Sequence, residues 1–78
     1  MTEHMLSPVD ENKTTKELLQ VAADYSQKRI TLTDSDRQAL ITLLKRRASE
    51  ELEYGQEIEC ENVRVIRRVT GAVGVYFT

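Results

Sequence analysis

The spacing of apolar residues changes at Gly55, and this change constrains the fold more than any other feature of the sequence. Before Gly55, apolar residues recur at intervals of three and four, the period of a helix with one buried face. After it, apolar and polar residues alternate, which is typical of a strand with one buried side. We therefore expect an α+β domain in which two helices pack on one face of a small antiparallel sheet, formed mainly by a C-terminal hairpin.

The first helix is expected over about residues 15–27. Thr14 and Glu17 have the spacing of a capping box, in which a hydroxyl and a carboxylate each accept a hydrogen bond from a backbone N–H. Residues 29–33 are too few and too β-branched for a helix. We expect either a brief strand or an extended connector there.

The second helix is expected over about residues 34–54, with Thr33 as its N-cap and Gly55 as its terminator. Its apolar stripe is continuous in the first half of the helix. In the second half, Arg47 and Glu51 fall inside the stripe. Either the last two turns project beyond the core, or these two residues pair across an interface.

The segment after Gly55 predicts two or three antiparallel strands. Residues 56–61 alternate, and residues 63–70 are rich in branched side chains but out of phase with the first segment. A turn or a bulge at Glu61–Asn62 accounts for the change of phase.

Gly71–Ala72 is interpreted as a two-residue turn, after which residues 73–78 return as the last strand. This turn fixes the predicted register. It places Arg67 opposite Tyr76, and the pairs on either side are Arg68 with Val75 and Ile66 with Phe77.

The length of 78 residues suits one domain. Residues 14–78 are expected to form it, and residues 1–13 a mobile arm. As an alternative for the arm, Met5–Leu6 docks on the domain. A core this small, without disulfides or metal, is marginal on its own, so we expect a homodimer rather than a monomer.

Several functional classes are disfavoured by composition. No apolar run approaches the ~20 residues of a membrane-spanning helix, and the polar N-terminus has no apolar segment typical of a signal peptide. The single cysteine cannot form an internal disulfide. These features favour a reducing, cytoplasmic setting.

No constellation of residues specifies a chemistry. His4 and Cys60 are the only residues of their types, so neither a metal site nor a Cys–His nucleophile is expected. Gly71 and Gly74 precede no helix, which favours a hairpin over a phosphate-binding loop. The glutamates of residues 57–61 are expected on a solvated strand face. We therefore expect no enzyme and no cofactor.

The charges are separated along the chain. The net charge of −2 comes from thirteen acids and eleven bases, but residues 50–61 hold six acids and no base, while residues 62–78 hold three arginines and no acid. Residues 45–47 form a further basic cluster. Such segregation favours an oriented, charge-matched interface with a partner.

We therefore expect a small non-enzymatic protein–protein interaction module, an adaptor, inhibitor or accessory subunit that covers a surface of a larger partner. The residues expected to contact the partner are Arg64, Arg67, Arg68 and Tyr76 on the hairpin, with Arg47 and Glu51 on the second helix. If the C-terminal strand lies at an edge of the sheet, another strand can add to it.

The alternative is a nucleic-acid-binding transcriptional regulator whose clustered arginines contact phosphates. The residues expected to do so are Arg46, Arg47, Arg64, Arg67 and Arg68.

Overall fold

The computed structural model describes residues 9–78 as two helices followed by a three-stranded antiparallel sheet. The helices and strands are α1 (Thr15–Ser26), α2 (Asp34–Glu51), β1 (Glu57–Cys60), β2 (Val63–Arg67) and β3 (Val73–Phe77). The strand order is β1-β2-β3, so β2 is central and the other two strands are edges. The α+β fold expected from the change of period at Gly55 is confirmed.

Helix α1 begins at the predicted capping box. The N–H of Glu17 donates to Thr14 Oγ1 at 3.1 Å, and the N–H of Thr14 donates to Glu17 Oε1 at 2.8 Å. The hydrogen bond from this N–H is the main reason that the pKa of Glu17 lies below its ordinary value of 4.5. The helix ends at Ser26. Residues 29–33 form a connector and not a strand: the chain bends at Arg29 and Ile30 and has no regular structure from Thr31 to Thr33.

Helix α2 is shorter than predicted. Thr33 is its N-cap, as expected, but the helix ends at Glu51 and not at Tyr54. Leu52 turns into extended backbone and is buried, with only 7% of its surface exposed. The chain leaves the helix here because burial of Leu52 in the core, together with a hydrogen bond to its carbonyl from Arg67, competes with a further helical turn.

The core lies between the helices and one face of the sheet. Helix α1 packs against β1 and β2, whereas α2 packs against β2 and β3. The fully buried large side chains are Leu18, Leu40, Leu44, Val63 and Val65.

Residues 9–13, the end of the predicted mobile arm, form a turn beside the helices. The N–H of Asn12 donates to Asp10 Oδ1 and that of Lys13 to the Asp10 carbonyl, both at 2.9 Å. Val9 packs against the core. The rest of the arm, including the alternative that Met5–Leu6 docks on the domain, lies outside the described residues.

The turn predicted at Glu61–Asn62 is confirmed, and it joins β1 to β2 with Cys60 opposite Val63. Glu61 has a positive φ of 53°. In this turn the left-handed backbone therefore lies at the glutamate and not at the asparagine.

The predicted register of the β2–β3 hairpin is wrong. Tyr76 lies opposite Arg64 and not opposite Arg67, and the neighbouring pairs are shifted by the same three positions, with Val65 opposite Val75 and Val63 opposite Phe77. The predicted second strand, residues 63–70, ends at Arg67. A shift by an odd number of residues exchanges the two faces of a strand, so it changes which arginines share a face with Tyr76.

The cause of the shifted register is a longer hairpin loop. The N–H of Arg68 donates to the Ala72 carbonyl, and the N–H of Gly71 donates to the Arg68 carbonyl, each at 2.8 Å. Gly71, with φ +95°, is therefore the last residue of a three-residue loop and not the first residue of a two-residue turn.

Candidate functional site

Within residues 9–78, one face of the sheet carries no helix. Both helices pack on the side of Val63 and Val65, and the strand register places a second set of side chains on the opposite side. We call this set the open face; it consists of Glu57, Glu59, Arg64, Ile66, Arg68, Gly74 and Tyr76.

Tyr76 is the aromatic residue of the open face, and its ring lies near Gly74 on the same strand and near the basic side chain of Arg68. Its ring covers Gly74 so closely that a Cβ at that position would be 2.6 Å from the hydroxyl oxygen and 2.7 Å from a ring carbon. Arg68 contacts the same ring: its Nη2 donates to the Tyr76 hydroxyl, and its Cζ is 5.9 Å from the ring centroid. The ring is therefore fixed in place while 39% of Tyr76 remains exposed.

Arg64 connects this cluster to the acidic strand. It lies between Glu59 on β1 and Tyr76 on β3, and its Nη1 is 3.5 Å from Glu57 Oε1. Both partners of this ion pair are about half exposed, so it contributes less than ~1 kcal/mol to stability. Its effect is to hold the Arg64 guanidinium next to the carboxylates of β1.

Arg67 does not belong to the open face, contrary to its predicted position opposite Tyr76. Its Nη1 donates to the Leu52 carbonyl at 2.8 Å, and its Cζ lies 4.4 Å from the centroid of the Tyr54 ring. Among the described residues its buried Nε has no hydrogen-bond partner. Arg67 therefore fastens the end of α2 to the sheet.

Arg47 and Glu51 make contacts within the chain that neither predicted alternative includes. Only 18% of the Arg47 side chain is exposed; its Nη2 donates to the Glu11 carbonyl, and its Nη1 is 3.9 Å from Glu51 Oε2. Glu51 Oε1 accepts a hydrogen bond from Thr15 Oγ1 at 2.8 Å. The helix does not project beyond the core, because Ala48 on its last turns and Leu52 directly after it are buried.

The arginines expected to bind phosphates do not share one surface. Arg64 and Arg68 lie on the open face, and Arg67 lies on the opposite side of the same strand. Arg46 and Arg47 belong to helix α2 behind the sheet, where both lie near Glu11. Nucleic-acid binding stays a prediction, without a common groove for these five side chains.

A polar network that the sequence did not indicate joins α1 to the β1–β2 turn. Arg29 Nη2 lies 2.9 Å from Glu61 Oε2, and Arg29 Nε donates to Asp24 Oδ1 at 2.8 Å. Gln20 donates to both carboxylates. These contacts lower the pKa of Glu61, chiefly through Gln20 and then Arg29, and that of Asp24, chiefly through Arg29 and then Gln20.

Within residues 9–78, no group of three His, Cys, Asp or Glu side chains is arranged to hold a metal ion. Cys60 is a free, half-buried thiol whose Sγ lies 3.6 Å from Gln20 Oε1. No helix in this part of the chain is both long and apolar enough to cross a membrane.

The chain matches no protein-family model, no curated protein and no solved structure.

The sequence prediction included Arg64, Arg68 and Tyr76 of the open face but not its other four residues, which are Glu57, Glu59, Ile66 and Gly74. The alternation of residues 57–61 already indicated that Glu57 and Glu59 share a face. Their position beside Arg64 depends on the register of β1 on β2. For Gly74 the local sequence carried no signal, since only the Tyr76 ring shows why a side chain is excluded there.

Proposed function

We propose that this chain is a non-enzymatic protein–protein interaction module and that its open face contacts a larger partner, as an adaptor, inhibitor or accessory subunit does. The observation that carries the proposal is the fixed position of Tyr76 over Gly74 beside Arg68. Tyrosine and arginine are the residues that most often dominate interface energies. A ring that is already held in one position loses little conformational entropy when a partner binds.

The charges beside Tyr76 support the same proposal. Glu57 and Glu59 form an acidic edge, and Arg64 with Arg68 forms a basic centre. The charge distribution of the open face is therefore asymmetric, and a partner of complementary charge can bind it in one orientation. Arg67, by contrast, is engaged within the chain, as are Arg47 and Glu51. We therefore place the contact on Arg64, Arg68 and Tyr76. A regulatory role and a cytoplasmic location remain part of this proposal.

The experiment is quantitative affinity capture from native cells with the wild-type chain and the variants Arg68→Glu and Gly74→Ala. Arg68→Glu reverses one charge of the open face. Gly74→Ala retains every charged group but displaces the Tyr76 ring. We expect each variant to recover at least about tenfold less partner, a loss of about 1.4 kcal/mol in binding.

The matched control is Lys45→Glu, which makes the same charge change at an exposed position of α2. We expect it to recover the partner as the wild type does, and circular dichroism should show all three variants folded. Equal recovery by Lys45→Glu, Arg68→Glu and Gly74→Ala contradicts the proposal.

A further inference from the structure

We propose that β3 is a pairing edge, at which two copies of this chain join their β3 strands antiparallel about a twofold axis at Val75. The two three-stranded sheets then form one continuous sheet. Two residues of the open face, Gly74 and Tyr76, also lie on β3. The inference uses the backbone groups of the other residues of this strand, and it does not rest on the proposed partner.

Hydrogen bonds at the two ends of β3 establish which backbone groups face β2. Before the strand, the N–H of Arg68 donates to the Ala72 carbonyl; after it, the N–H of Thr78 donates to the Asn62 carbonyl, both at 2.8 Å. In an antiparallel pair, the residues that exchange hydrogen bonds with the neighbouring strand alternate along the chain. The even-numbered residues from 72 to 78 therefore direct their N–H and C=O groups toward β2.

It follows that Val73, Val75 and Phe77 direct their backbone groups away from the sheet. Among residues 9–78 no strand lies on that side. When two copies meet with Val75 opposite Val75, Val73 of each lies opposite Phe77 of the other, and every outward N–H and C=O of these residues has a partner. A shift of the register leaves some of them unpaired.

The charges of the two edges favour a second copy at β3. No residue of β3 is charged, and the strand contains neither lysine nor proline, which commonly block pairing at an edge. On β1 the outward residues are Glu57 and Glu59, because the N–H of Arg67 donates to the Gln56 carbonyl and sets the alternation there. Self-pairing of β1 would bring these carboxylates together, whereas self-pairing of β3 opposes only uncharged side chains.

An apolar groove beside β3 extends the same surface. It has a volume of about 620 Å³ between β3 and the helices. Its apolar wall is formed by Tyr25, Ile41 and Phe77, and its polar lining by Ser26, Arg37, Gln38 and Thr42. Phe77 is 43% exposed on this side of the strand. A second copy paired along β3 places its Val73 next to this ring and covers part of the groove.

The first test is sedimentation equilibrium of the full chain and of Val75→Pro, at concentrations up to ~1 mM, where even weak pairs associate. The wild type is expected to reach twice its 9.0 kDa mass. Val75→Pro removes an outward N–H, which an edge strand tolerates, and we expect at least about tenfold weaker association. A wild type that stays monomeric at ~1 mM overturns the proposal, as does a folded Val75→Pro that associates equally well.

If circular dichroism shows that Val75→Pro is unfolded, Phe77→Lys decides instead. Its side chain is 43% exposed, so the core of one copy does not depend on it. Lysine there places a charge against Val73 of the second copy. We expect the same tenfold weakening, and unchanged association overturns the proposal.

The register is tested by disulfide cross-linking in a Cys60→Ser background, since Cys60 is the only cysteine. Val75→Cys should form covalent dimers faster than the control Val69→Cys, although Val69 is 78% exposed and Val75 is half-buried. Residues directly opposite on antiparallel strands have Cα atoms about 5.5 Å apart, a separation that a disulfide spans. Faster cross-linking at Val69 overturns the proposed register.

Discussion

The β1 edge and the β3 edge of the sheet are joined to the helices by different kinds of contact. At the β1 side, the turn at Glu61–Asn62 is tied to α1 by polar side chains: Gln20 and Arg29 bind Glu61, and Ser26 Oγ donates to Asn62 Oδ1 at 2.8 Å. At the β3 side, α2 lies against the strand, and Val73 and Val75 pack against the core, as Ile58 and Cys60 of β1 also do.

This difference separates the contacts that position the sheet from those that stabilise it. Exposed ion pairs and amide hydrogen bonds contribute little energy, but they restrict the geometry of the turn they join. Buried apolar area contributes roughly 25 cal/mol per Å² and has no preferred direction. The β1 side is thus fixed by directed polar contacts in addition to the apolar contacts of Ile58 and Cys60, while the β3 side has an uncharged edge at which no other strand of residues 9–78 lies.

The largest effect on stability is expected from a substitution in the core, which tests whether both edges of the sheet depend on the same core. Leu44 is fully buried, and Leu44→Ala should lower the free energy of unfolding by about 3 kcal/mol, within the range for buried leucines. Amide hydrogen exchange at Cys60 and Tyr76, whose N–H groups face β2, should accelerate by the same factor. Acceleration on one edge alone would show that the two edges unfold separately and would contradict a shared core.

A smaller effect is expected from the contact by which Arg67 of β2 fastens the end of α2 to the sheet. Arg67→Met retains much of the side-chain length but leaves the Leu52 carbonyl without its donor, so unfolding should require about 1–2 kcal/mol less. Arg64→Met, on the opposite face of the same strand, is the control and should change stability by less than about 0.5 kcal/mol. Urea denaturation of both variants measures the difference. Equal effects would mean that the Arg67 contact contributes nothing beyond an exposed arginine.

The elements of the fold could be predicted because they depend on local spacing. The change of period at Gly55, the capping box at Thr14 and the N-cap at Thr33 are all readable from neighbouring residues, and the structure confirms the corresponding helices and strands. The predicted end of α2 was wrong because Leu52 and Arg67, fifteen positions apart, together determine where the helix ends. A contact of that kind leaves no mark on the local pattern.

The candidate site could be predicted only in part for a related reason. Gly71 marked the hairpin, but the sequence did not distinguish a glycine that begins a two-residue turn from one that ends a three-residue loop. That choice moved the register by three positions and separated Arg67 from Tyr76. The sequence therefore indicated which side chains the hairpin carries, while the face on which each arginine lies required the structure.

The smallest expected effect tests the polar side of the comparison through its pH dependence. Arg29 and Gln20 hold the pKa of Asp24 and of Glu61 below their ordinary values of 3.8 and 4.5. A carboxylate with a lowered pKa in the folded state stabilises the fold at pH values above its unfolded pKa, and this stabilisation is lost as the pH falls through the folded pKa. Arg29→Gln should therefore lower Tm slightly at pH 7, and the difference from the wild type should shrink between about pH 5 and pH 3.

The control for this prediction is Arg37→Gln, which removes an arginine whose ion-pair partner, Asp34, is almost fully exposed. Its difference in Tm from the wild type should stay nearly constant over the same pH range. An exposed ion pair contributes little to stability whether the carboxylate is ionised or protonated. Thermal unfolding of the three proteins at pH 7 and pH 3 makes the comparison. If the difference in Tm between Arg29→Gln and the wild type persists unchanged at pH 3, Arg29 stabilises the fold by packing of its side chain and not through the ionised network. Polar contacts then stabilise the β1 side no more than they stabilise the β3 side.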